Sequence, residues 1–132
     1  MRLQLFIAGV ISMLIILLLI LASSSSIGNP SARDILINNQ DADIIQLDGL
    51  IYKNVSNREW VSTDYQIGES VGEIKKRTDR TWLYRDFFAT KLDKGTIIYA
   101  EKEDNDQKRE VMSTLLVEIE DELLVYQALV EG

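Results

Sequence analysis

The hydrophobic pattern divides the chain into two materials. From Leu5 to Ala22 every residue is apolar or nearly so, with Gly9 and Ser12 the mildest exceptions and no charge anywhere. At a helical rise of 1.5 Å per residue this run covers roughly 27 Å, the scale of a bilayer's hydrocarbon core. Residues 1–22 therefore read as a transmembrane anchor or signal segment. Residues 23–31 (S-S-S-S-I-G-N-P-S) are small, polar or helix-breaking and read as a flexible serine-rich linker. The remainder, 32–132, reads as one small domain.

Within that domain the periods are mostly short. Ser31-Ala32-Arg33-Asp34 starts a helix running to Asn39, with Ile35 and Leu36 turned inward. Ile44–Leu47 and Leu50–Lys53 are β-rich flanks around Asp48-Gly49, a pair that suits the two positive-φ positions of a tight hairpin turn; the alternative is one strand bulged at Gly49. Asn57–Trp60 reads as a turn with Trp60 as a core anchor. Ser70–Lys75 alternates as a half-buried strand, and Asp93-Lys94-Gly95 is a turn leading into the strand Thr96–Ala100. Glu101–Glu110 is a charged loop.

The last segment carries two periods. Met112, Leu115, Leu116, Ile119, Leu123, Tyr126 and Val130 recur at helical steps, yet the same residues alternate as two strands turning at Glu120-Asp121-Glu122. Valine, isoleucine and tyrosine favour the hairpin. The fold class is thus α+β: an N-terminal transmembrane helix followed by one small domain dominated by an antiparallel β-sheet.

Charge sets the orientation. Without Arg2 the chain holds 13 Lys and Arg against 21 Asp and Glu, a net charge of −8. Arg2 lies before the apolar run, and the first basic residue beyond it is Arg33. The positive-inside rule then places the N-terminus in the cytoplasm and the acidic domain outside, single-pass in a cell membrane. An acidic domain is repelled by nucleic acid and by anionic lipid; Lys75-Lys76-Arg77, the one dense basic spot, reads as a solvated strand end. Ala22 and Ser24 are small residues where a signal peptidase could cut, which would release the protein after Ser24, but the apolar run exceeds a usual signal core and favours retention. The chain has no cysteine, so neither a thioether-linked lipid at the Ser24 position nor a disulfide is available.

The candidate chemistry is thin. There is no histidine, which removes Ser-His-Asp and Cys-His catalysis and histidine-bound metals. The seven glycines form no phosphate-cradling motif. Asp41, Asp43 and Asp48 read as turn formers. Glu101, Glu103, Asp104 and Asp106 could offer oxygen ligands to a hard cation, but the glycine and glutamate of a calcium loop are missing after Asp104. Ser70 and Lys75 face opposite sides of a strand and make no catalytic pair. No catalytic, cofactor or metal residues are assigned, and no cofactor is expected. The aromatic residues Trp60, Trp82, Tyr84, Phe87 and Phe88 read as core; exposed together, they would mark a protein-binding patch.

The segments Asp41–Gln46, Gly49–Asn54, Val71–Ile74, Ala89–Leu92, Gly95–Tyr99 and Leu129–Gly132 resemble a group of small, uncharacterised exported or membrane-anchored proteins of Bacillus-type Firmicutes. That resemblance implies a bacterial cell-envelope location and a β-rich domain, supports the C-terminal hairpin, and brings no activity. The expected function is a non-enzymatic, membrane-anchored extracytoplasmic interaction domain that binds another envelope protein. The alternatives are a cation- or ligand-binding sensor using residues 101–106 and a small carboxylate-dependent hydrolase.

Overall fold

A computed structural model describes residues 2–23, 28–62, 64–102 and 112–130, with side chains of the first helix described as far as Leu17. That helix, α1, spans Arg2–Ser23. Among the described residues no helix is long and apolar enough to cross a membrane, the stretch with described side chains covering about 24 Å at 1.5 Å per residue. Helix α2 (Ala32–Asn38) opens on a capping box: Ser31 Oγ accepts from Asp34 N at 3.2 Å, and Asp34 Oδ2 accepts from Ser31 N at 2.9 Å. Donation from Ser31 N, and from Ser31 Oγ at 2.9 Å, to Asp34 Oδ2 holds the Asp34 carboxyl below its ordinary value.

The fold is α+β, with an eight-stranded sheet among the described residues. Its strands are β1 (Ile44–Leu47), β2 (Leu50–Asn54), β3 (Ile67–Glu73), β4 (Lys76–Arg77), β5 (Phe88–Ala89), β6 (Ile97–Glu101), β7 (Thr114–Ile119) and β8 (Glu122–Ala128). Spatially they run β3-β6-β7-β8-β2-β1-β5-β4. Every pairing is antiparallel except β4 with β5.

The two ends of that order, β3 and β4, are successive pieces of one strand. Ile74 N donates to Thr96 O and Ile74 O accepts from Gly95 N, both at 2.8 Å, extending the β3–β6 ladder. The next residue, Lys75, donates its N–H to Phe87 O at 2.8 Å and starts the ladder with β5. The chain changes partner between adjacent residues, so the sheet curls back on itself.

This curling explains the burial. Alternate residues point inward: Ile45, Leu47, Leu50, Tyr52, Leu115, Val117 and Tyr126 share one cluster with Ile74 and Ile98. Their sequence neighbours point outward and are covered separately. Ile44 and Ile51 pack under α2 through Ala32 and Leu36, and Leu116 and Val125 pack with Val55, Val61 and Tyr65 from the β2–β3 connection. Strands buried on both faces lose clean alternation, which is why the tail carried a false helical period.

Both predicted hairpins form. Leu47 pairs with Leu50 across Asp48 (φ 51°) and Gly49 (φ 75°), and Ile119 pairs with Glu122 across Glu120 (φ 48°) and Asp121 (φ 67°). The predicted strand at 70–75 begins earlier, at Ile67, and ends at Glu73 where the strand switches partner. Glu101 closes β6 instead of opening the charged loop; residues 103–110 of that loop lie outside the described residues.

Candidate docking surface

The predicted turn formers separate in space. Asp48 sits in the β1–β2 turn. Asp43 does something else: its Oδ1 accepts from Tyr126 Oη at 2.9 Å and its Oδ2 from Asn54 Nδ2 at 2.8 Å. Asn54 Oδ1 in turn accepts from Ser56 N at 2.9 Å and Ser56 Oγ at 2.6 Å, and Ser56 Oγ accepts from Val125 N at 2.8 Å. Asp43 is thereby a structural acceptor joining three segments. Among the described residues no buried side-chain polar atom is left without a partner, and no group of three or more acidic side chains could hold a metal ion. Of the acidic candidates, Glu103, Asp104 and Asp106 lie outside the described residues.

The aromatic residues bring a correction. Trp60 is 63% exposed and Trp82 is 71% exposed, whereas both read as core in the sequence. Two turn bonds, Arg58 N to Val55 O and Val61 N to Arg58 O, direct the flanking valines onto the sheet and leave Trp60 outside. Tyr84, Phe87 and Phe88 are half-buried.

Trp82 belongs to the loop joining β4 to β5, whose base is tied at several points. Thr78 N donates to Ala89 O at 2.8 Å, and Tyr84 Oη donates to Thr78 O at 3.1 Å. Gln46 Nε2 reaches Tyr84 O and Asp86 Oδ1, and Gly49 N donates to Asp86 Oδ1 at 3.0 Å. The Tyr84 ring meets Phe88 edge-on, with centroids 5.7 Å apart. Burial, reinforced by the Asp79 and Asp43 carboxylates, pushes the Tyr84 hydroxyl well above its ordinary range. It therefore stays protonated and keeps donating.

Two shallow grooves run beside this loop. One, of about 410 Å³, is lined by Leu36, Ile37, Gln40, Asp79, Arg80 and Thr81. The other, of about 450 Å³, is lined by Gln40, Asp41, Arg77, Thr78, Asp79, Thr90 and Lys91. They share Gln40 and Asp79, so they adjoin between α2 and the loop. Ile37 is 66% exposed on the α2 side.

Sequence reasoning missed this surface. Its signal was available in R-T-W-L-Y-R, residues 80–85, where Trp82 and Leu83 stand side by side between arginines with no alternation that could bury both. No family model, curated protein or solved structure matches this chain.

Proposed function

We propose that the protein is a non-enzymatic binding domain tethered to the cell membrane by α1, with its sheet domain outside the cytoplasm. The observation that carries the binding role is the exposure of Trp60 on a sheet whose interior is otherwise filled by apolar side chains. Tryptophan is enriched at the centres of protein interfaces, where its area is buried against a partner. The partner expected for such a domain is another protein of the cell envelope.

The tether reading draws on α1. Its described residues contain no acidic side chain, its only charge is Arg2, and every described side chain is exposed. A helix apolar on all sides needs an apolar surrounding, and none of the described core clusters includes it. Its 22-residue backbone would extend about 33 Å. The position of Arg2 ahead of the apolar run supports an inside N-terminus, and the resemblance to exported or anchored Firmicute proteins points to the same location.

Two measurements test this. Alkaline carbonate washing of membranes should leave the full chain in the pellet; recovery of the chain in the wash, or of a form beginning at Ser25 in the medium, would refute the tether. Photo-crosslinking from position 60 in intact cells should capture one reproducible envelope protein; labelling that only scales with protein abundance would refute the binding role.

A further inference from the structure

The stretch from β4 into the loop that follows it concentrates positive charge on an otherwise acidic domain, with Arg77 already paired to Asp93 at 2.8 Å. Residues 75–85 hold five basic side chains, Lys75, Lys76, Arg77, Arg80 and Arg85, against the single Asp79, and all five are exposed. The chain from Ser23 onward is net −8, so the rest of that part, outside 75–85, is net −12. At the tip of the same loop Trp82 is 71% exposed and Leu83 66% exposed, while Tyr84 is tied to Thr78. Leu83 holds φ 60°, a left-handed conformation that a bulky residue seldom adopts. The backbone reversal there lets Tyr84 turn inward while its two neighbours stay outside.

We propose that this loop docks on the surface of an anionic lipid bilayer, with Trp82 and Leu83 entering the boundary between headgroups and acyl chains. Arg80 and Arg85, the basic side chains of the loop itself, then face lipid phosphates. An indole with an adjacent leucine suits that boundary, since its body is apolar and its N–H finds polar partners. Each nearby Lys or Arg adds attraction to anionic headgroups, and the acidic remainder is repelled, so one orientation of the domain is selected. A protein partner would need a comparably acidic surface; a bilayer supplies both the acyl phase and the charge. The proximity of a bilayer rests on the tether reading: residues 24–31 span at most about 28 Å when extended. The first element after that linker, α2, shares the groove lined by Ile37 and Thr81 with this loop.

The chain has two tryptophans, so full-length Trp60→Phe protein reports Trp82 alone. It is reconstituted into vesicles of phosphatidylcholine, with or without phosphatidylglycerol, carrying brominated acyl chains. In the anionic vesicles Trp82 emission should shift to the blue and lose most of its intensity. High salt, or Arg80→Glu with Arg85→Glu, should restore it, and Trp82→Phe protein should show no quenching of Trp60. A carbonate wash of the same vesicles reads the tether separately. Retained protein whose Trp82 is unquenched overturns the docking and leaves the tether standing. Quenched protein that washes off upholds the docking and overturns the tether. Unquenched Trp82 that instead crosslinks to a protein in native membranes reassigns the surface to that protein and overturns the lipid assignment.

Discussion

The ring of Phe87 occupies the space that a side chain at Gly72 would need. A β-carbon at position 72 would stand 2.5 Å from Phe87 Cε1 and 2.6 Å from Cζ. Both backbones are unusual, with φ 154° at Gly72 and 64° at Phe87. The contact lies where β3 is bulged, its register against β6 slipping between Ser70 and Gly72. Phe87 N donates to Gln46 O at 2.7 Å, and Lys75 Nζ stands 5.3 Å from the ring centroid. The pair thus packs β3 against the residue that leads into β5, beside the point where the strand switches partner.

Gly72→Ala should therefore destabilise the fold by roughly 2–4 kcal/mol, combining a strained φ with overpacking. In a Phe87→Ala background the same substitution should cost clearly less, because only the backbone strain remains. Urea unfolding of the four members of this cycle measures it, and equal costs in both backgrounds would disprove the contact's role.

The β7–β8 turn carries two non-glycine residues at positive φ, Glu120 and Asp121. Replacing them with Asn-Gly, the pair that suits this turn, should stabilise the protein by about 1 kcal/mol and also remove two like charges from an acidic tip. Thermal unfolding would show a higher midpoint; a lower one would mean that the acidic pair makes contacts that offset its strain.

Thr90 is buried and bridges two backbone groups: its Oγ1 accepts from Ile44 N at 3.0 Å and donates to Ala42 O at 2.7 Å. Thr90→Val keeps the shape and leaves both groups unpaired, at a cost of about 2–4 kcal/mol. Thr90→Ser should retain most of the stability. Equal losses in the two variants, measured by chemical unfolding, would show that the methyl group matters as much as the hydroxyl.

Burial, together with the neighbouring Asp43 carboxylate, raises the Tyr126 hydroxyl far above its ordinary value of 10.0. A group raised in the folded state stabilises fully below the unfolded value, and that contribution is lost as pH climbs from about 10 toward the folded value. Stability should accordingly fall above about pH 10, with half-buried Tyr84 adding to the decline in the same direction. Tyr126→Phe should cost about 1–3 kcal/mol near neutrality, since Asp43 Oδ1 loses its donor, and should flatten the alkaline decline. An unchanged alkaline slope in the variant would exclude Tyr126 as its source.

Local chemistry already specified much of this molecule. Ser31 and Asp34 mark the start of α2 because a cap is an interaction over three residues. Asp48-Gly49 specifies a hairpin because positive φ at two adjacent positions is an intrinsic preference, and a two-residue turn fixes the register of its flanks. The C-terminal hairpin was legible from the β-preference of its valine, isoleucine and tyrosine residues, against a competing helical period created by outward residues that are themselves covered. The two-residue strands β4 and β5 and the partner switch at Ile74–Lys75 were not legible. Their hydrogen bonds join segments remote in the chain, and so short a run carries no period of its own. The same holds for the aromatic residues. Composition made Trp60 and Trp82 core candidates, but whether a side chain is buried depends on which neighbours reach the core first. Val55, Val61 and Tyr84 fill those places, and their positions exist only once distant strands have met.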